Sequence, residues 1–383
     1  IVVMTTVIKT IGTSSRDYSD INAWEADLND EAEYSDGDTA IGEIYADSTF
    51  TDVANLIENG SDIGGSASQE LALIKLTVHT DSRHDGTAGS GARLHSTANG
   101  THSYGIIRIN IDNVIVEWLE IDMDADDDIT TEDSDSRDLN KAITLTGTND
   151  NCIIRNMLIH GKYGNPGNDA PMGLHVLAAG ASSDTLTIQN NIIYNIIETG
   201  NDSAQGINTN KWAGTANLYN NTVYNIDSQG SSKPAYGLVY GNVASAVVNV
   251  KNNLVAKMVA DGSASNERAY QKSNGSSTEN ASNNLSDDTV TTSAYKAPGS
   301  NSLQDKTLTE ISFVSTTVGS EDLHIGTALS VCNMAGVDLG TTNGVDIDIN
   351  GRDRDALGDT WTIGAHQFTA IAENGSAFLL FLD

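Results

Sequence analysis

The chain has 383 residues, 52 of them acidic against 20 basic, for a net charge of −32. That balance excludes a nucleic-acid-binding surface, which needs positive charge to displace phosphate counterions. It also disfavours anionic membranes and strongly anionic polymers. Aromatic residues make up only 5% of the chain, which suits a thin aliphatic core. No stretch is long and apolar enough to span a bilayer, and Cys152 and Cys332 have no metal or redox spacing.

The opening "IVVMTTVIKTIGTSS" lacks a charged region followed by a long apolar run, so it carries no signal-peptide pattern. Met4 is start-like; a leader already removed is the alternative. "DYSDINAWEADLNDE" (17–31) predicts a helix, with Ser19 or Asp20 as cap and Ile21, Trp24 and Leu28 on one face. A stack of coils needs its first open end covered, so residues 1–40 are expected to form a cap around this helix. "GEIYADSTFTD" (42–52) and "LALIKLTVHT" (71–80) read as early, irregular coils.

From about residue 103 the chain repeats. Val116, Ile154, Ile188, Leu218, Val250 and Ala281 align at steps of 38, 34, 30, 32 and 31 residues. Between them run Ile107, Ile143, Leu174, Ile207, Leu238 and Tyr270, at steps of 36, 31, 33, 31 and 32. Two motifs sharing one period and staying in phase define a repeat architecture. Its units are short runs rich in Ile, Val, Leu, Thr and Tyr, separated by Gly, Asn, Asp and Ser clusters, so they are strands and turns rather than helices. The predicted fold is all-β: a right-handed parallel β-helix solenoid with an N-terminal capping helix, its coils filling residues 41–300.

Each unit carries "x-I-x-N-N-x-I-x-N" and then "G-L-x-V". Asn tolerates the left-handed backbone of a sharp bend, and stacked amides can bond from coil to coil. Asn156, Asn190, Asn220, Asn252 and Asn283 form one aligned column, the expected structural ladder; Asn191, Asn221, Asn253 and Asn284 form the next. Two outward columns also emerge: Glu117, Arg155, Gln189, Tyr219 and Lys251, and Thr144, His175, Asn208, Val239 and Gln271.

Several features carry possible chemistry. In "DMDADDDITTEDSDSRD" (122–138), Asp122, Asp124, Asp126 and Asp128 alternate as oxygen donors of the kind Ca²⁺ prefers. The glycine and final glutamate of an EF-hand loop are missing, and a solvated acidic loop is the alternative. Ca²⁺ is the only cofactor suggested. The loops 163–172, 198–205, 227–235 and 260–268 leave successive coils at one point and predict a ridge or groove wall. Tyr163, Lys211 and Trp212 sit near it as carbohydrate-binding candidates, Trp212 by stacking on a sugar ring. Cys152 begins a core strand and reads as a small apolar residue. "AFLLFL" (377–382) reads as a closing strand or contact patch.

The Asn pattern ends near residue 295, and residues 301–383 read as the C-terminal end of the solenoid. "SEDLHIGTALSVCNMAGVDLG" (320–340) and "DIDINGRDRDALGDTWTIGAHQF" (346–368) resemble the carboxyl-terminal end of right-handed parallel β-helix proteins of the pectate-lyase-like superfamily. The matching residues are Asp322, Leu323, His324, Ala328, Leu329, Gly336, Asp346, Ile347, Asp348, Gly351, Arg352, Ile363, Gly364 and Ala365. The departures are Asn350 before Gly351, and His366 with Gln367 where the pattern favours an acid. "TVIKTIGTSSRDYSDINAWEADL" also resembles the starts of β-helix proteins from phages and environmental bacteria. "DIDINGRDRD" (346–355) has a Ca²⁺-like look, which the resemblance makes a structural terminator.

The resemblance implies a choice of functions, because this fold hosts many. One is a non-enzymatic, surface-exposed protein: a virion spike, fibre or decoration protein, or an adhesin, binding glycans and assembled as a homo-oligomer, commonly a trimer, or with other virion or cell-surface proteins. The alternative is a secreted lyase or glycoside hydrolase acting on an acidic polysaccharide. For a lyase the resemblance implies His175 or Lys162 as base, Arg155 as carboxylate clamp and Asp169 as metal ligand. A hydrolase needs two placed carboxyls, for which Glu198, Asp202 and Asp227 are in the sequence. A purely structural surface repeat protein is a third reading. All of these place the chain outside cells or on a virion surface, with no nucleic acid and no membrane span.

Overall fold

The computed structural model describes residues 4–28, 30, 32–50, 62–63, 71–95, 105–123, 140–147, 150–164, 170–177, 179–262, 264–357 and 360–369. Among these the chain forms three parallel sheets of nine, eight and seven strands, here sheets A, B and C, and one two-stranded antiparallel hairpin. From Leu73 to Asp287 successive strands visit A, B and C in turn, and each pairs with its counterpart in the neighbouring coils. This is an all-β parallel solenoid, a β-helix.

The register reproduces both repeat series. In sheet A, Val116 pairs with Ile154, then Ile188, Leu218, Val250 and Ala281. In sheet C, Ile107 pairs with Ile143, Leu174, Ile207, Leu238 and Tyr270. Alternation sets the faces: Thr215–Tyr219 and Val247–Lys251 bury every second residue. The third wall of the interior is the sheet B column Ile121, Ile159, Ile193, Val223 and Val255, fully buried throughout. Each such side chain contributes roughly 1.5–3 kcal/mol on burial, and only stacking provides it.

The glycine of "G-L-x-V" is explained by this narrow interior. A Cβ on Gly206 would stand 2.6 Å from the Val223 side chain and 2.7 Å from the Gly237 carbonyl oxygen. Gly173 and Gly237 face the same obstruction from Ile193 and Val255. Sheet C therefore approaches sheet B so closely that only glycine fits.

The predicted helix is Ile21–Asp27, with the Asp20 carboxylate accepting from the Ala23 amide at 2.8 Å. Ile21, Trp24 and Leu28 are buried, and the Trp24 ring lies over Gly42 of the second strand, Thr39–Ile44. Cys152 and Cys332 are both buried and not joined in a disulfide, and burial pushes the Cys332 thiol up to about 12. Among the described residues no helix is long and apolar enough to cross a membrane. The segment 377–382 lies outside the described residues.

The paired asparagines divide two tasks. Asn156, Asn190, Asn220, Asn252 and Asn283 all have φ between 53° and 58°, the left-handed bend expected of them. The continuous amide ladder, however, runs through the next column: Asn191 donates to Asn221 at 2.9 Å, Asn221 to Asn253 at 2.9 Å and Asn253 to Asn284 at 3.2 Å. The first column forms one side-chain rung, Asn252 to Asn220 at 3.0 Å. The left-handed bend turns its amides out of the stack, and they donate to main-chain carbonyls of the C-terminal segment. The partners are Ile347 and Asp348 for Asn156, Val345 and Ile347 for Asn190, Val345 for Asn220, Val337 for Asn252 and Ala335 for Asn283. The segment thus runs back along the solenoid, against the direction in which the coils were laid down.

That segment closes a second apolar cluster on the outer face of sheet B. Leu158, Ile192, Tyr224, Leu254 and Leu285 project outward from the sheet and meet Leu323, Ile325, Ile349, Ile363 and Ala365. Arg354, fully buried, pins it by donating to the Gly364 and Ala365 carbonyls at 2.9 and 2.8 Å. Leu323, Ile363 and Ala365 of the C-terminal sequence pattern are thus among the residues that cover the side of the solenoid. Asp348 of the same pattern accepts from the amides of Asn350, Arg352 and Gln367.

Candidate functional site

The outer face of sheet B carries one column of unlike residues: His95, Asp122, His160, Tyr194 and Tyr224, in register from coil to coil. Under the C-terminal segment this column is apolar. Toward the earlier coils it turns polar and opens into a cavity of about 340 Å³, within the range typical of small-ligand sites. One wall is sheet B, through Arg93, Asp122, His160 and Tyr194; the other is the turn 319–322, with Glu321 and Asp322. Gly161 and Asn195 lie beside the column where the strands bend through positive φ, 90° and 54°.

The sheet wall is a chain of charges. His160 is buried, its Nε2 3.0 Å from Glu120 Oε1 and its Nδ1 3.7 Å from Asp122 Oδ1. Glu120, fully buried, also accepts from the Gly89 amide at 2.9 and 3.0 Å, which fixes its carboxylate behind the imidazole. Burial alone would lower the His160 pKa. The Glu120 hydrogen bond and the charges of Asp122 and Glu120 outweigh it, and the net shift is upward. Asp122 Oδ2 lies 3.1 Å from His95 Nδ1 and accepts from Arg93 Nη1 at 3.2 Å. Tyr194 stacks on His160 at 5.1 Å between ring centroids, and burial holds its hydroxyl far above the usual phenol range. On the opposite wall Glu321 accepts from Asn195 Nδ2 at 2.8 Å.

The structure distributes the sequence-predicted residues elsewhere. His175 is on sheet C (Met172–Val176), Lys162 on sheet B (Leu158–Gly164) and Arg155 on sheet A (Cys152–Arg155). The base and clamp residues of the expected lyase thus lie on three different sheets. Arg155 pairs with Glu117 at 2.6 Å and also donates to the Asn343 carbonyl; Lys162 and His175 are buried. Trp212 is not available for stacking: it is 1% exposed, packed against Gly180, with its Nε1 donating to the Thr215 carbonyl at 3.1 Å. Its position beside a loop does not expose it, because the turn folds the ring into the solenoid. Lys211 is exposed and Tyr163 half-buried. Asp122 belongs to the pocket, its carboxylate committed to Arg93 and His95, whereas Asp124, Asp126, Asp128 and Asp169 lie outside the described residues. Glu198 is buried where sheet B ends, and burial raises its carboxyl to about 7.

The repeat itself carries one signal for this pocket. Aligned by the repeat, Asp122, His160 and Tyr194 occupy the same position as the outward apolar residues of other coils. Arg93, His95 and Glu321 lie in irregular coils or the non-repeating tail, where alignment gives no position. Chemically the site offers hydrogen-bond acceptors on two facing walls, a guanidinium, and an imidazole oriented by a buried carboxylate and biased toward its protonated form. No protein-family model, no curated protein and no solved structure matches this chain.

Proposed function

We propose that the protein is a surface-exposed β-helix of the pectate-lyase-like type that binds a glycan in the pocket between sheet B and the turn 319–322, serving as a spike, fibre, decoration protein or adhesin. The observation that carries the reading is the facing pair of polar walls, Arg93, Asp122 and His160 opposite Glu321 and Asp322, built on rigid strands and sized for one or two sugar rings. Acids outnumber cations there and over the whole chain. The favoured ligand is therefore an uncharged saccharide whose hydroxyls donate to carboxylates, rather than an acidic polymer. Display outside cells or on a virion, and assembly into a homo-oligomer, belong to the same proposal. The exposed Val314, Val318 and Leu329 on the C-terminal segment support assembly, and the mass of the particle in solution tests it.

A panel of neutral and acidic oligosaccharides tests the ligand. Glu321→Gln and Tyr194→Phe should each weaken retention of the bound sugar about tenfold, as expected for one lost charged hydrogen bond or one disturbed contact. Equal binding by both variants and the parent, or retention of acidic sugars only, would overturn the reading.

A second reading, glycoside hydrolysis, is favoured by the same facing carboxylates together with His160. Hydrolysis needs an acid on one side of the glycosidic bond and a carboxylate on the other. It predicts new reducing ends from a bound oligosaccharide, lost in Asp122→Asn while binding persists.

A further inference from the structure

A second acidic site lies in the closing turn of the C-terminal segment, away from the sugar pocket. One carboxylate oxygen from each of Asp346, Asp353 and Asp355 lies within 4.8 Å of the others. Asp346 is 8% exposed, and its Oδ1 has no hydrogen-bond partner. A desolvated carboxylate oxygen without a donor is costly, and two further carboxylates beside it raise that cost. Among the described residues none of the three forms a salt bridge with lysine or arginine. Arg354 and Arg155 act on Asp346 through their charges, but the Arg354 hydrogen bonds go to Thr362, Gly364, Ala365, Gln367 and Asn190.

The other two acids are held in place without using both oxygens. Asp353 Oδ1 accepts from the amides of Asp355 and Ala356, and Asp355 Oδ1 accepts from Trp361 Nε1 at 2.9 Å. Both side chains are exposed, so water can complete a coordination shell on that side. Oxygens on a single Ca²⁺ sit 2.3–2.6 Å from the ion, so two of them on opposite sides are up to about 5 Å apart, which the observed spread fits.

We propose that Asp346, Asp353 and Asp355 hold one Ca²⁺, which neutralises the buried Asp346 oxygen and clips the turn 346–355 against the solenoid. The unpartnered oxygen and the all-oxygen donor set point to a hard cation, and the open outer side suits Ca²⁺ over the smaller, more strictly octahedral Mg²⁺. This site does not depend on the saccharide reading.

The test is calorimetric titration of the chelator-treated full chain with CaCl₂, followed by Tb³⁺ luminescence excited through tryptophan. The expected result is one saturable site above the diffuse binding of an acidic surface, with a Tb³⁺ signal that Ca²⁺ displaces. Asp346→Asn should lose that site, and so should Asp353→Asn combined with Asp355→Asn, whose amide oxygens can still accept the local hydrogen bonds. The exposed pair guards against misfolding of the Asp346 variant. Identical titrations for parent and paired variant, or Mg²⁺ bound as tightly as Ca²⁺, would overturn the proposal.

Discussion

The coils between residues 150 and 290 and the segment that covers them from 308 to 368 are both well packed, but for opposite reasons. A coil is supported by copies of itself: Asn221 bonds Asn191 below and Asn253 above, and Ile193 sits between Ile159 and Val223. The covering segment has no such copies. It is held by contacts that occur once, such as Arg354 or the carbonyls that meet the bent asparagines. The comparison teaches that the regular part supplies rigidity and the irregular part supplies individuality. The pocket lies where the two meet.

The largest expected effect comes from breaking the self-support. Asn221→Ala removes an amide that donates to Ile188 at 2.9 Å and to Asn253, and an oxygen that accepts from both nitrogens of Asn191. At about 1–3 kcal/mol for each buried group left stranded, the loss is on the order of 4 kcal/mol in a chemical denaturation curve. Asn249→Ala, in the partly exposed amide row outside sheet A, is the control. Its cost should stay below about 1 kcal/mol, and equal costs would mean that the inner ladder has no special weight.

The next effect separates the two regions. Leu323 belongs to the outer cluster alone, so Leu323→Ala should cost about 2–4 kcal/mol as a cavity and loosen the cover first. Hydrogen exchange should rise across 308–368 and at Tyr194 while the inner strands stay protected. Loss of protection throughout would show that coils and cover fold as one unit.

The smallest effect is on pH dependence. Glu198, raised to about 7 by burial, ionises more readily in the unfolded chain. Its penalty is absent below the unfolded value near 4.5 and grows as pH rises to 7. His160 has a raised folded pKa; its contribution is complete below about 6.5 and lost as pH climbs through the folded value. Both make the chain less stable from pH 5 to pH 8. Glu198→Gln should flatten the lower part of that decline in thermal melts and leave the upper part, and an unchanged profile would remove Glu198 as its source.

The same division decides what could be read from the sequence. Where residues repeat, the period fixed both register series, the left-handed asparagines and the outward columns, because one template determines every copy. What a single copy cannot reveal is which outward face will be covered. Leu158, Ile192, Leu254 and Leu285 read as ordinary strand residues, yet they are the floor of a second core. Trp212 was expected at the surface because loops usually run there, but Gly180 leaves room for its ring inside. The lyase candidates His175, Lys162 and Arg155, close in sequence order, stand on different sheets of a three-sided coil, which the period alone does not reveal. The pocket stayed hidden because one wall comes from Glu321 and Asp322, which stand between 126 and 229 positions from Arg93, Asp122, His160, Tyr194 and Asn195 on the other side.

The run of bent asparagines that hands its amides to the returning segment has a consequence for length. Successive coils meet successive carbonyls of that segment, by unequal steps, from Asn283 at Ala335 through to Asn156 at Asp348. The tail therefore works as a gauge. A gene duplication that added one coil, harmless in an open-ended stack, would here slide every downstream contact out of step and carry Glu321 away from His160. Such a protein can vary its loops freely, but its number of turns is counted.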